Sequence, residues 1–415
     1  MSDCPNANGA GSDPRDGNPW SVRLTLLVTA HMVGTVNIVS VLAMAPVIST
    51  DLQLTATQFG FLVTAYYLAQ ACWSIPAGIL VDRFGVGRIL FCAHLVMGAG
   101  SMMLALSGSY GESLFSLFLM GVGYAMTNPA SGAGVLAWFP SERRGTAMGI
   151  KQVGVPLGGV IAAANGALVT VTAWQTLMLV TAAAIFLNGI LCLYLNRYHR
   201  PAAAGEIRVM ENLRDVMRIR RVPEFALTCG LMNIGQTNFF AFLTLFLRDA
   251  ANASQPLAAF AIGLAQTSSA IARIGWGIVS DRWYRQHRAG LMAAICGAAT
   301  LFMIAMILVR PGWGMWLGMA MALLLGITIA SFAPVAQAIS VEMVAPRLTG
   351  SAMGVNMTGV QMGGMIGPPV FGVLIDLTGS YQAGWLGTAA ATGLGVLLLI
   401  ARFRRTRVSA LQSDG

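Results

Sequence analysis

The chain has 415 residues, of which 56% are hydrophobic and only 10% charged, with a formal net charge of +9. A soluble domain carries about a quarter charged residues, so a water-soluble fold is excluded and the lipid bilayer is the natural solvent for this chain. Its basic residues sit in short segments between apolar stretches, which excludes a nucleic-acid-binding surface and makes the charge a marker of topology.

Residues 1–21 are polar and rich in Gly, Asn and Asp. They lack the apolar core of a signal peptide and read as a disordered cytoplasmic tail. A membrane span needs about 20 mostly apolar residues. Six such stretches follow, at 22–48, 57–81, 89–108, 113–138, 146–170 and 173–195, and form a first bundle over 22–195. A polar linker, 196–223, holds seven arginines from Arg197 to Arg221. Within it, Ile207, Val209, Met210, Leu213, Val216 and Met217 suit either a short amphipathic helix on the inner leaflet or a solvated linker. Six more spans, at 224–248, 256–280, 288–308, 313–338, 350–376 and 382–402, form a second bundle over 224–402, and 403–415 is a second cytoplasmic tail. The fold class is therefore an all-α membrane protein of twelve transmembrane helices in two six-helix bundles. All the cysteines except Cys4 fall in apolar stretches without metal-ligand spacing and read as small hydrophobes. No metal or cofactor is expected.

Lys and Arg counted on alternate sides give the orientation. One side carries only Arg248 and Arg310, whereas the other carries 21 arginines. Both termini and the central linker are therefore expected in the cytoplasm, with the protein in the cytoplasmic (inner) membrane.

The halves repeat. Gly78-Ile-Leu-Val-Asp82-Arg83 returns as Gly277-Ile-Val-Ser-Asp281-Arg282, and Gly145-Thr-Ala-Met-Gly149 with Gly154-Val155 and Gly158-Gly159 returns as Gly350-Ser-Ala-Met-Gly354 with Gly359-Val360 and Gly363-Gly364. A parallel repeat of six-helix halves places a solute site between the halves near mid-bilayer. With the loop signature Gly78, Asp82, Arg83, Gly85 and Arg88 after span two, and its partial second copy after span eight, the chain resembles the major facilitator superfamily along nearly its whole length. The resemblance implies pseudo-twofold symmetry, alternating access, and a cytoplasmic latch carried by Asp82, Arg83 and Arg88 and, in the second copy, by Asp281 and Arg282. Gly78 and Gly277 are expected to admit close helix approach. Two departures weaken a drug–proton antiporter reading. No arginine precedes Gly121 in span four, and Pro156 stands one place late in Gly154-Val155-Pro156-Leu157-Gly158-Gly159.

None of the 16 acidic residues lies in the middle of a span, while Lys151 and Arg273 lie inside spans, both in the cytoplasmic half. An intramembrane charge is costly, about 2.5–3.5 kcal/mol on insertion scales, and marks function by default. Cations without a carboxylate call for an anion from outside. Gln266, Ser269 and Arg273 share one helical face of span eight, and their repeat counterparts Tyr67, Gln70 and Ser74 share one face of span two. Lys151 lies on the glycine face of span five, with Asn356 as its counterpart. His31, Asn37, Asn128, Gln152, Asn233 and Gln236 are further polar candidates for solute contact. His31 is also a candidate proton carrier, and His94 is expected to be structural. Arg273, with the stretch from Gly367 through Asp376 to Tyr381, is similar to monocarboxylate transporters and oxalate/formate exchangers, which implies carboxylate binding through a planar fork.

The expected function is secondary transport of a small organic anion, a monocarboxylate in the first instance, with proton symport as one form of coupling and the glycine faces of spans five and eleven as sliding surfaces. The expected partners are that anion, a co-transported proton and the lipid bilayer, with no nucleic acid and a monomeric state. Drug or metabolite efflux is the alternative within transport, and a transporter-like sensor the alternative of another class. No nucleophile–base pair supports an enzyme.

Overall fold

The computed structural model describes residues 18–140, 143–198, 209–311, 314–345 and 348–403. Span one is α1 (Val22–Ala43) with α2 (Ala45–Asp51), span two α3 (Ala56–Phe84), span three α4 (Val86–Leu106) and span four α5 (Tyr110–Trp138). Span five is α6 (Arg144–Gln152) with α7 (Gly154–Leu168), and span six α8 (Trp174–Cys192). After α9 (Val209–Arg218), span seven is α10 (Arg221–Ala251), span eight α11 (Gln255–Arg282) and span nine α12 (Arg288–Ala305). Span ten is α13 (Gly314–Ile327) with α14 (Ala333–Glu342), span eleven α15 (Thr349–Thr378) and span twelve α16 (Tyr381–Phe403). Among the described residues, nine spans are long and apolar enough to cross a membrane on those grounds alone. The more polar α3 and α5 and the broken pair α13–α14 complete the twelve, arranged as two six-helix bundles.

Local sequence explains where several helices begin. Thr55 and Gln58 form a capping box that opens α3, and Ser109 and Glu112 form one that opens α5. Three spans expected to be continuous are broken. Span one turns at Met44, just before Pro46, and span five turns at Val153. Span ten is interrupted over 328–332, where Pro334 sits in the first turn of α14, the one place in a helix where its missing N–H costs nothing. Most of both expected tails, and linker residues 199–208 with Ile207, lie outside the described residues. The amphipathic segment is helical as α9, and its Val216 is buried with Val222, Leu348 and Ala352. Of the two expected forms it takes the short amphipathic helix, and it docks on the start of α15.

The bundles meet along two seams that the internal repeat exchanges: α3 with α15, and α7 with α11. Both are tight at the arginine-poor end. A Cβ on Gly60 would come 2.5 Å from the Pro368 carbonyl oxygen, and the Thr64 hydroxyl donates to the Met365 carbonyl at 2.7 Å. On the other seam, Gln255 Nε2 donates to the carbonyls of Ala43 (2.9 Å) and Gly166 (3.0 Å). Thr244 donates to the Leu42 carbonyl at 2.7 Å. At the arginine-rich end the bundles stand apart: a Cβ on Gly78, Gly149, Gly277, Gly350 or Gly354 would meet nothing within 4 Å. The close approach expected at Gly78 and Gly277 is therefore absent in this conformation.

The paired glycines divide their work. Gly158 packs on Met32 and Thr35 of α1, and Gly363 packs on the Gly230 backbone of α10, each inside its own bundle. The next residue looks across the seam, Gly159 to Gln266 and Gly364 to the Tyr67 ring. The glycine faces expected to slide therefore serve both kinds of packing: Gly159 and Gly166 of α7 and Gly364 and Gly372 of α15 touch the other bundle, while Gly158 and Gly363 pack inside their own.

Candidate functional site

The break in span ten leaves backbone carbonyls without helical partners, and α11 supplies donors to them. Trp276 Nε1 donates to Ile327 at 2.7 Å, and Ser269 to Ala330 at 2.8 Å. Arg273 donates to the same Ala330 carbonyl through Nε (3.3 Å) and Nη2 (3.0 Å), with Ser269 Oγ a further 3.3 Å from Nε. The guanidinium is held on one edge by its own bundle.

Across the seam, Arg273 lies within electrostatic reach of Tyr124 on α5. The Tyr124 ring lies against Gly34 of α1, where a Cβ would come 2.8 Å from the ring. Tyr66 is 6.0 Å from Tyr124 and 5.5 Å from Tyr67, centroid to centroid. The Tyr66 hydroxyl is buried without a hydrogen-bond partner. One turn along α3, Gln70 accepts a bond from Gln361 Nε2 across the α3–α15 seam at 3.0 Å, and its own Nε2 is buried and unpartnered. The first bundle thus presents buried donors without partners at Tyr66 and Gln70, and Tyr124 links this part of the seam electrostatically to Arg273. Tyr66 and Tyr124 were not singled out by sequence reasoning, since neither is charged and both sit in apolar company.

Lys151 and His31 lie within the first bundle. Lys151 Nζ donates to Ser131 Oγ at 2.9 Å, and His31 Nε2 is 2.8 Å from the same oxygen. Lys151 is 3% exposed and His31 fully buried. Ser131, from α5, also reaches the Asn128 carbonyl at 3.1 Å. It was invisible in the sequence because serine in a span most often bonds its own helix.

The remaining polar candidates separate. Asn233 is committed to Val360 and Thr237, pinning α10 to α15, and Asn37 reaches the Met97 carbonyl at 3.5 Å. Gln266 is buried against Gly159, and Asn356 is buried with Oδ1 unpartnered. Asn128, Gln152 and Gln236 are half-buried. His94 bonds the Leu90 carbonyl and Asn188, a structural role as expected.

The arginine-rich loops differ from the expected pairing. Asp281 pairs with Arg288 at 2.8 Å, and Arg288 also lies 3.3 Å from Glu342. Arg282 instead lies over the Trp283 ring, and Arg83 over Phe84. Arg88 is exposed, and the side chain of Asp82 lies outside the described set. Arg288 is the second-copy counterpart of Arg88, displaced by one inserted residue, a signal the repeat alignment contained.

The family model of the Major Facilitator Superfamily matches residues 26–323 and 302–414, and the chain belongs to that superfamily. It is a transporter rather than an enzyme. It is 23% identical over 400 residues to the probable sulfoacetate transporter SauU of Cupriavidus necator, covering 90% of this chain and 91% of that protein. It is 28% identical over 356 residues to monocarboxylate transporter 13 of Bos taurus, covering 81% of each. Among solved structures it is similar in fold to the nucleoside transporter NupG, with a TM-score of 0.77 at 15% identity over 92% of this chain and 99% of that one.

Proposed function

We propose that the protein is a monomeric secondary transporter that carries a small organic anion, a monocarboxylate or a comparably small sulfonated acid, across the cytoplasmic membrane by alternating access. One observation carries the reading. Among the described residues Arg273 has no carboxylate partner, and across the seam it lies within electrostatic reach of Tyr124, whose ring neighbours Tyr66. A carboxylate or sulfonate at Arg273 would supply the missing negative charge. Lys151 adds positive potential from within the first bundle. The names of the sulfoacetate and monocarboxylate relatives support the same class of cargo.

The positive-inside bias makes the arginine-rich end cytoplasmic, so the conformation described is open to the cytoplasm and closed on the far side. Asp281, Arg288 and Glu342, with Asp82, Arg83 and Arg88 in the first half, act at the cytoplasmic ends of the bundles as they rock. Coupling is to a co-transported proton.

The test is uptake and exchange of labelled carboxylates and sulfonates by purified protein in proteoliposomes, with and without a pH gradient. Saturable movement of at least one anion, abolished in Arg273→Ala, is expected. If no anion moves, and Arg273→Ala still transports a neutral or cationic compound, the reading fails.

A further inference from the structure

The second buried cation suggests a separate task. We infer that His31, Ser131 and Lys151 form a proton relay inside the first bundle, distinct from the anion site at Arg273, that holds one exchangeable proton and couples it to transport. The inference deepens the transport reading and rests on it for its physiological meaning.

The geometry is that of a bridged pair. One hydroxyl oxygen lies 2.9 Å from Lys151 Nζ and 2.8 Å from His31 Nε2. A serine hydroxyl accepts and donates at once, so it conducts between them. A proton leaves Lys151 Nζ for Ser131 Oγ as the original hydroxyl proton leaves Oγ for His31 Nε2. One N–H and one O–H bond break, one O–H and one N–H form, and a single positive charge moves from lysine to imidazole. The Asn128 carbonyl, 3.1 Å from Ser131 Oγ, offers the hydroxyl proton an alternative acceptor. The hydroxyl therefore has two orientations, one connecting the relay and one breaking it.

The surroundings favour one charge. Among the described acids of the first bundle, Asp51 bonds Trp174 and Gln175 and Glu112 caps α5, so neither neutralises a second charge. Two adjacent buried cations without a counter-ion repel strongly. The other titratable groups around His31 are accounted for. His94 on α4 is bonded to Leu90 and Asn188, and Cys192 on α8 lies 3.8 Å behind that asparagine. Tyr124 on α5 packs a turn away over Gly34, and Arg273, across the seam, faces Tyr124; α7 carries no titratable residue. His31 Nδ1 is buried without a hydrogen-bond partner among the described residues.

The relay joins three helices of the first bundle: His31 on α1, Ser131 on α5, two residues after a proline that stands inside that continuous helix, and Lys151 at the end of α6.

The first test needs no solute. Protein labelled with 15N at its four histidines is titrated in liposomes by solid-state NMR. Ser131→Ala and Lys151→Met should each move the His31 midpoint by about one pH unit or more, leaving His94 in place, and Ser131→Thr should restore it. An unmoved His31 in both variants overturns the relay. In a second arm, with labelled lactate and sulfoacetate as probes, Ser131→Ala should lose pH-gradient-driven accumulation by about tenfold while exchange at equal pH persists. Loss of exchange as well would assign Ser131 to anion binding and overturn the relay. A wild type that moves neither probe removes the anion reading and leaves the NMR arm to decide the relay.

Discussion

Asp376, near the last turn of α15, accepts the backbone N–H of Thr57 in the first turn of α3 at 2.9 Å, and its other carboxylate oxygen takes that of Ala56 at 3.2 Å. An acid from the second bundle thus occupies the positive end of a helix from the first, on top of the Thr55–Gln58 capping box. An anion at a helix N-terminus is worth about 0.3–1 kcal/mol when exposed and up to about 2 kcal/mol when partly buried. Asp376→Asn should therefore loosen closure at the arginine-poor end, shifting the population several-fold towards the state open there. Accessibility of a cysteine placed near Thr57 to a membrane-impermeant thiol reagent reads this directly, and unchanged labelling counts against the latch.

Gly60 makes the same seam steric. A Cβ there meets the backbone of Pro368 and Pro369, which cannot move aside as a side-chain tip would. Overpacking of this kind costs about 1–3 kcal/mol. Gly60→Ala is expected to separate the arginine-poor ends of α3 and α15, measured as a longer spin-label distance, with the melting temperature of each bundle little changed. If the distance distribution is that of wild type, the two ends are not in van der Waals register in the membrane.

Arg273 is the residue whose replacement should cost transport most. Truncation to alanine removes the charge and leaves the Ala330 carbonyl with Ser269 alone. Losing one partner of a buried charged contact costs about 3–5 kcal/mol, so anion uptake should fall by more than a hundredfold. Arg273→Lys keeps the charge and loses the planar fork, and is expected to recover only a small part. Full activity in the lysine variant would mean that charge alone, without the bidentate geometry, suffices.

Arg288 ties α12 to the end of α11 through Asp281 and to α14 through Glu342. Asp281 is largely exposed, so the pair is screened and its share of stability is about 1 kcal/mol or less. Arg288→Gln should lower thermal stability slightly and change the transport rate more, because the contact sits where the bundles part. Equal effects on both would reduce Arg288 to a surface ion pair.

Hydropathy and the repeat made the twelve spans and the two halves readable, because lipid exposure and duplication both leave periodic marks, whereas the pairing of α3 with α15 and of α7 with α11 came from the tertiary packing. The breaks at Met44, Val153 and 328–332 were not readable, since bilayer-length apolarity continues through them and the freed carbonyls are met by side chains far away in sequence. Arg273 and Lys151 stood out as charges. Their different surroundings did not, because the repeat aligns Lys151 with Asn356 and says nothing of Ser131, which only tertiary packing brings between lysine and histidine. The Asp281–Arg288 pair was hidden by a one-residue insertion in the second copy of the loop.

The tether between Arg273 and the Ala330 carbonyl bears on how cargo is let go. A guanidinium fixed along one edge to its own bundle has little rotameric freedom to swing with a departing solute. An anion held there travels as a passenger of the second bundle, and release falls to the tyrosines of the first bundle withdrawing from it. Turnover would then be governed by how fast one wall recedes, so substitutions at Tyr66 and Tyr124 should tell more in the off-rate than in the affinity.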